Sequence, residues 1–125
     1  MGFLAGLHAL VSYIGFFATL YWAGAILFGA GDVTRFAKHY RMGSMLAMAF
    51  VGLAGVVGLI VTFTNGWAGM LFPWIGLVGV ALHGFLGVRA KKALYAMNTG
   101  TALKLAVVQV VILIVVTGLM AAKPF

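Results

Sequence analysis

Four long apolar segments dominate the chain, and the polar residues are concentrated in the connections between them. The segments cover roughly residues 3–29, 43–64, 71–94 and 102–121. Since an α-helix rises about 1.5 Å per residue, each segment is long enough to cross a hydrocarbon layer of about 30 Å. The connections are short, which favours antiparallel neighbours. We therefore predict that residues 1–125 form one all-α transmembrane domain, an up-down-up-down four-helix bundle.

Composition agrees with a membrane location. Hydrophobic residues make up 65% of the chain, and the mean hydropathy is +1.19. About half is usual for a soluble domain, and no polar helix faces are available to cover four apolar helices in water. The lipid bilayer is therefore the expected environment. The chain contains no cysteine, so disulfide and thiolate chemistry are excluded.

The distribution of Lys and Arg predicts the orientation. The first connection carries Arg35, Lys38 and Arg41, and the third connection and its flanks carry Arg89, Lys91, Lys92 and Lys104. The second connection, residues 65–70, carries no charge, and Lys123 is the one cation near the other end. The positive-inside tendency then places the first and third connections in the cytoplasm and both termini on the opposite side. The net charge of +7 does not indicate a nucleic-acid partner, because these cations flank membrane spans, where anionic lipid headgroups neutralise them.

The connections carry further local signals. Asp32 is the one carboxylate side chain in the chain and a good helix N-cap, which predicts a short amphipathic helix along the membrane surface. The lipid-facing residues of this short helix would be Val33, Phe36, Ala37 and Tyr40. An aromatic cluster at the second connection, typical of a membrane interface, comprises Trp67, Phe72 and Trp74.

Small and weakly polar residues recur at helical spacing and predict the faces that pack against other helices, because small residues allow close helix approach in membranes. In the first segment they are Ala5, His8, Ser12, Gly15, Thr19 and Ala23. In the second they are Gly43, Ala47, Ala54, Gly55 and Gly58, and in the third Gly76, Gly79, His83 and Gly87. In the fourth, we expect Gln109 to form an interhelical hydrogen bond and Lys104 to extend to the headgroups.

His8 and His83 are the two candidate site residues, since ionisable side chains inside a membrane are costly and often functional. In one interpretation each hydrogen-bonds to a carbonyl or hydroxyl group on a neighbouring helix. In another, both are axial metal ligands of one haem b, although their predicted depths differ by roughly 10 Å. A haem with a single histidine ligand and a role in proton handling also remain open. One carboxylate excludes paired-acid catalysis, and no His/Asp/Glu cluster has metal-site spacing.

The histidine segments resemble a known family. Two stretches carry the resemblance. The first is Leu7-His8-Ala9-Leu10. The second is the third segment, in which Trp74 is followed by Leu82-His83-Gly84-Phe85-Leu86-Gly87 and then by Arg89-Ala90-Lys91-Lys92. Both stretches are similar to HemJ-type protoporphyrinogen oxidases. They are also similar to the wider group of copper-resistance D-like small membrane proteins. The resemblance implies four helices, outward termini, and haem binding by the first-helix histidine at His8, with His83 matching the third-helix histidine. The oxidases carry a lysine shortly after the tryptophan, where this chain has Ile75-Gly76-Leu77.

Two classes of function follow as expectations. The first is a non-catalytic accessory subunit of a larger membrane electron-transfer complex, respiratory or photosynthetic, whose other subunits are its partners. The second is a membrane redox protein that binds haem b or a porphyrin through His8, His83 or both. In either case we expect an integral protein of the bacterial inner (cytoplasmic) membrane, and whether the chain is an enzyme stays open.

Overall fold

The structure, a computed structural model, describes residues 2–122, and these residues form four α-helices and no strand. The helices are α1 (Phe3–Gly29), α2 (Ala37–Thr64), α3 (Phe72–Tyr95) and α4 (Thr99–Ala122). Each is long and apolar enough to cross a membrane. The all-α, four-helix membrane fold predicted from the hydrophobic segments is thus confirmed for the described residues. Lys123 lies outside them.

The helix ends follow from local chemistry. After Gly29 the chain turns through Ala30, which has a left-handed backbone (φ 50°) and donates its N–H to the carbonyl of Ile26 at 3.1 Å. This bond satisfies one of the carbonyls that a helix leaves open at its C-terminus. At the start of α3, Pro73 occupies the first turn, where its missing N–H costs nothing.

The predicted surface helix in the first connection is wrong. Residues from Ala37 onward belong to α2, which begins several residues before the expected position 43. Tyr40 does not face lipid. It is fully buried, and its hydroxyl accepts a hydrogen bond from the backbone N–H of Gly31 at 3.1 Å. Phe36 is half-buried against the same core.

Close contacts between α1 and α2 depend on glycine. A Cβ at Gly43 would lie 3.0 Å from Cα of Trp22, and one at Gly15 would lie 2.9 Å from the side chain of Val51. The contacts run in opposite order along the two helices, as they do between antiparallel neighbours. At both contacts a glycine meets a larger residue of the other helix, so Gly15 and Gly43 lie on faces that pack against a helix, as their spacing predicts.

The helices pack as two pairs, α1 with α2 and α3 with α4, and the contacts between the pairs are less extensive. The pairs meet most closely at the end of the bundle that includes residues 22–41 and 89–106, which we call the basic end. Its core consists of Trp22, Ala25, Ile26, Tyr40, Ala90, Leu94, Ala102 and Ala106. The opposite end, formed by residues 3–16, 51–80 and 113–122, is called the uncharged end.

Candidate functional site: a cavity at the uncharged end and a buried polar cluster

A cavity of about 480 Å³ lies between the helices at the uncharged end. All four helices contribute to its wall. Most of the lining is aliphatic or aromatic, and the aromatic members are Tyr13, Phe16, Trp67, Phe72 and Trp74. The polar side chains in the wall are His8, Ser12, Thr62 and Thr117. A mostly apolar cavity with few polar groups is the usual form of a small-molecule site.

Three of the polar groups around this cavity bond to backbone carbonyls. The hydroxyl of Ser12 donates to the carbonyl of His8 at 2.6 Å, and that of Thr62 donates to the carbonyl of Gly58 at 2.8 Å. The indole N–H of Trp74 donates to the carbonyl of Ala68 at 2.9 Å. These bonds satisfy three of the donors inside or beside the apolar wall, where an unpaired donor would be costly.

His8 is the histidine in the cavity wall. Its Nδ1 lies 3.0 Å from the carbonyl oxygen of Ala54 on α2. Because a carbonyl only accepts, the proton of this bond is on Nδ1, and in the neutral ring the lone pair is on Nε2. Gly58 provides the space for the ring, since a Cβ there would lie 2.8 Å from Cε1 of His8.

His83 is fully buried and lies away from the cavity wall. Its Nε2 lies 3.0 Å from Oγ1 of Thr19 on α1, and that hydroxyl donates to the carbonyl of Gly15 at 2.8 Å. The Thr19 hydrogen is therefore already committed, so the oxygen accepts from the Nε2–H of His83. Nδ1 of His83 has no hydrogen-bond partner among residues 2–122.

Gln109 completes a buried polar cluster with His83, Thr19 and Trp22. Its Nε2 donates to the carbonyl of His83 at 2.9 Å, and its Oε1 accepts from the indole N–H of Trp22 at 3.1 Å. The cluster thus joins α1, α3 and α4. The prediction that Gln109 forms an interhelical hydrogen bond is confirmed, whereas its partner Trp22 was not predicted.

The structure does not bring the two candidate histidines together. His83 lies opposite Thr19, which follows His8 by eleven residues on the same helix. At about 1.5 Å per residue, the two imidazoles are roughly 16 Å apart along the bundle. Bonds from imidazole to a metal are about 2 Å long, so one iron cannot bind both rings in this arrangement. Each ring instead bonds to a carbonyl or hydroxyl on another helix, which is the first of the interpretations left open above.

Of the two candidate histidines, His8 is the one that lies beside a cavity. It borders a cavity, and its Nδ1–H···O=C bond is of the kind that orients metal-binding histidines. His83 has an unpartnered Nδ1, but the ring is fully buried and borders no part of the cavity. Among residues 2–122, no group of three or more His, Cys, Asp or Glu side chains is placed to hold a metal ion.

No family model, curated protein or solved structure matches the chain. The class of protein therefore follows from the fold: four described helices with apolar surfaces define a small integral membrane protein.

Proposed function

We propose that this protein binds a flat, largely apolar cofactor of the porphyrin class, with haem b as the first candidate, in the cavity at the uncharged end. His8 is the proposed protein ligand. The observation that carries the proposal is the position of His8 in the wall of the cavity, with its Nδ1 bonded to Ala54. A bound haem would supply one-electron redox chemistry.

The size and lining of the cavity support a ligand of this class. A volume of about 480 Å³ is within the range of roughly 300–1,000 Å³ typical of small-molecule sites. Flat aromatic ligands pack well against aromatic rings, and Phe16, Trp67 and Trp74 lie in the wall. The Ala54 carbonyl holds the imidazole of His8 in one orientation and increases its basicity as a ligand.

The test is an absorption spectrum of the protein purified in mild detergent, before and after titration with haem b. We expect a Soret band in the wild type and in the His39→Gln variant, because His39 is an exposed residue at the basic end. We expect the band to be lost in His8→Gln. A wild-type protein without a Soret band even after titration, or a band of full strength in His8→Gln, would refute the proposal.

An accessory subunit of a respiratory or photosynthetic electron-transfer complex is the second candidate. Two observations favour it. The connections at residues 30–36, 65–71 and 96–98 are too short for a soluble domain, so the described part of the chain offers little surface to a water-soluble substrate. In addition, Gly52 and Gly118 are exposed and have open space where a Cβ would project, so packing within the chain does not explain them. Small exposed residues in a membrane helix suit close contact with a helix of another subunit.

A native gel in mild detergent tests this second candidate. Migration with larger membrane partners, weakened in Gly52→Leu and unchanged in Leu53→Ala, is the expected result. A protein that migrates alone under the mildest extraction conditions would contradict it.

A further inference from the structure

The positive charge of the protein has almost no counterpart within the chain. The chain has eight Lys and Arg side chains and one carboxylate side chain, that of Asp32. All of the cations except Lys123, which lies outside the described residues, are exposed near the basic end. They are Arg35, Lys38, Arg41, Arg89, Lys91, Lys92 and Lys104.

Asp32 is committed to its own connection. Its Oδ1 accepts hydrogen bonds from the backbone N–H of Thr34 at 3.1 Å, the hydroxyl of Thr34 at 2.7 Å and the backbone N–H of Arg35 at 3.0 Å. The bonds from Arg35 and Thr34 lower the pKa of this carboxyl. The charge of Asp32 thus stabilises the turn before α2 and does not neutralise the cations of α3.

One cation of α2 and one of α3 lie on the faces by which these two helices pack. The side chain of Met48 lies against α3 at Gly84 and Gly87. Arg41 precedes Met48 by two helical turns and Lys91 follows Gly87 by one, so each lies on the same face as the contact. The contacts between α2 and α3 run in opposite order along the chain, since Gly55 lies against Val80 and Met48 lies against Gly87. Arg41 and Lys91 therefore lie at a similar level near the basic end.

Two exposed cations on neighbouring helices repel each other unless an anion lies between them. A phosphate fits this role, since the guanidinium of Arg41 can donate two parallel hydrogen bonds and Lys91 can add a point charge. One turn deeper on the same faces, Met45 and Val88 are exposed and apolar. A charged group above an apolar strip matches a phospholipid, with its phosphate at the helix ends and an acyl chain along the helices.

We propose that Arg41 and Lys91 form a binding site for the phosphate of an anionic phospholipid between α2 and α3. The proposal is independent of the haem proposal, because the site lies at the opposite end of the bundle. The proposed site is a single defined binding site, which differs from a general attraction between cations and an anionic membrane surface.

The test uses the full chain in nanodiscs of phosphatidylcholine containing a small fraction of phosphatidylglycerol, with native mass spectrometry to count retained lipids. We expect the wild type to retain phosphatidylglycerol selectively, and Arg41→Gln or Lys91→Gln to weaken its binding about fivefold each. Lys104→Gln is the matched control, an exposed lysine at the same end on α4, and should bind as the wild type does. Arg41→Lys keeps the charge but not the two parallel hydrogen bonds, so it should bind more tightly than Arg41→Gln and less tightly than the wild type.

Three results would overturn the proposal. One is an unchanged affinity in both Arg41→Gln and Lys91→Gln, and another is a loss in Lys104→Gln as large as theirs, which indicates only diffuse attraction. The third is binding of inorganic phosphate, in discs of pure phosphatidylcholine, that is as tight as the binding of phosphatidylglycerol. That result indicates a site for the free ion. If Arg41→Gln fails to fold, as judged by circular dichroism, the comparison of Lys91→Gln with Lys104→Gln decides the question.

Discussion

His83 and Thr19 connect α3 to α1 across the centre of the bundle, with Nε2 of the imidazole 3.0 Å from the threonine hydroxyl oxygen. These two helices do not form one of the extensively packed pairs. The bond therefore acts between helices that share little other contact. It also fixes the tautomer of His83, since Thr19 uses its own hydrogen to bond the carbonyl of Gly15.

Thr19→Val should destabilise the protein, because it removes this acceptor and leaves the Nε2–H of a fully buried imidazole without a partner. Interhelical hydrogen bonds in membranes contribute about 0.6 kcal/mol on average and up to about 1.7 kcal/mol. We expect a loss near the upper value in an unfolding titration with sodium dodecyl sulfate. Thr19→Ser keeps the hydroxyl and is the control. Equal stability of the valine and serine variants would show that the bond does not contribute.

Gln109 and Trp22 should prove energetically coupled. Gln109→Leu leaves the buried indole N–H without its acceptor, and an unpaired buried donor costs about 1–3 kcal/mol. Trp22→Phe removes the donor itself. The double variant should therefore lose less free energy of unfolding than the sum of the losses in the two single variants. A double-mutant cycle in the same unfolding titration measures the difference. Strict additivity of the two changes would contradict the contact.

Gly87 should tolerate alanine far less well than Gly84, although both lie on the side of α3 that faces Met48. A Cβ at Gly87 would lie 2.7 Å from Sδ of Met48 and 2.8 Å from Nε2 of Gln109, whereas one at Gly84 would meet Met48 at an ordinary 4.0 Å. Gly87→Ala forces the side chains of Met48 and Gln109 to shift, which strains the Gln109 bond to the carbonyl of His83, and we expect it to lower the free energy of unfolding by about 1–3 kcal/mol. Gly84→Ala should be neutral or stabilising, since alanine favours helix. The ratio of folded to unfolded protein at a fixed detergent composition distinguishes the two.

The sequence predicts the parts of this fold that are encoded locally. Hydrophobic length identifies four spans, and the spacing of small residues identifies the faces that meet, such as Gly76 and Gly79 against α4. The wrong assignment of Tyr40 has a physical cause. In a membrane, both the lipid and the bundle interior are apolar, so an apolar face on α2 does not reveal which of them it contacts.

The site was harder to predict, because it depends on contacts between distant segments. Residues of all four helices line the cavity, so no single segment encodes it. The sequence identified His8 and His83 as equivalent candidates. Packing makes them different: His8 borders the cavity, while His83 is enclosed with Thr19 and Gln109.

The orientation in the membrane is a prediction that the absence of cysteine makes simple to test. Single cysteines introduced by Asn65→Cys, between α2 and α3, and Lys92→Cys, at the basic end, replace exposed residues at opposite ends of the bundle. In intact cells, a membrane-impermeant maleimide should label the Asn65→Cys protein, and the Lys92→Cys protein should react only after the membrane is permeabilised. The physical reason is the excess of Lys and Arg at the basic end, which resists translocation. Removing one charge through Lys92→Cys leaves six exposed cations at that end, so the variant itself should not reverse the orientation. The opposite result, in which Lys92→Cys is labelled in intact cells and Asn65→Cys is protected, would contradict the prediction. It would place the start of α1 and the end of α4 on the cytoplasmic side.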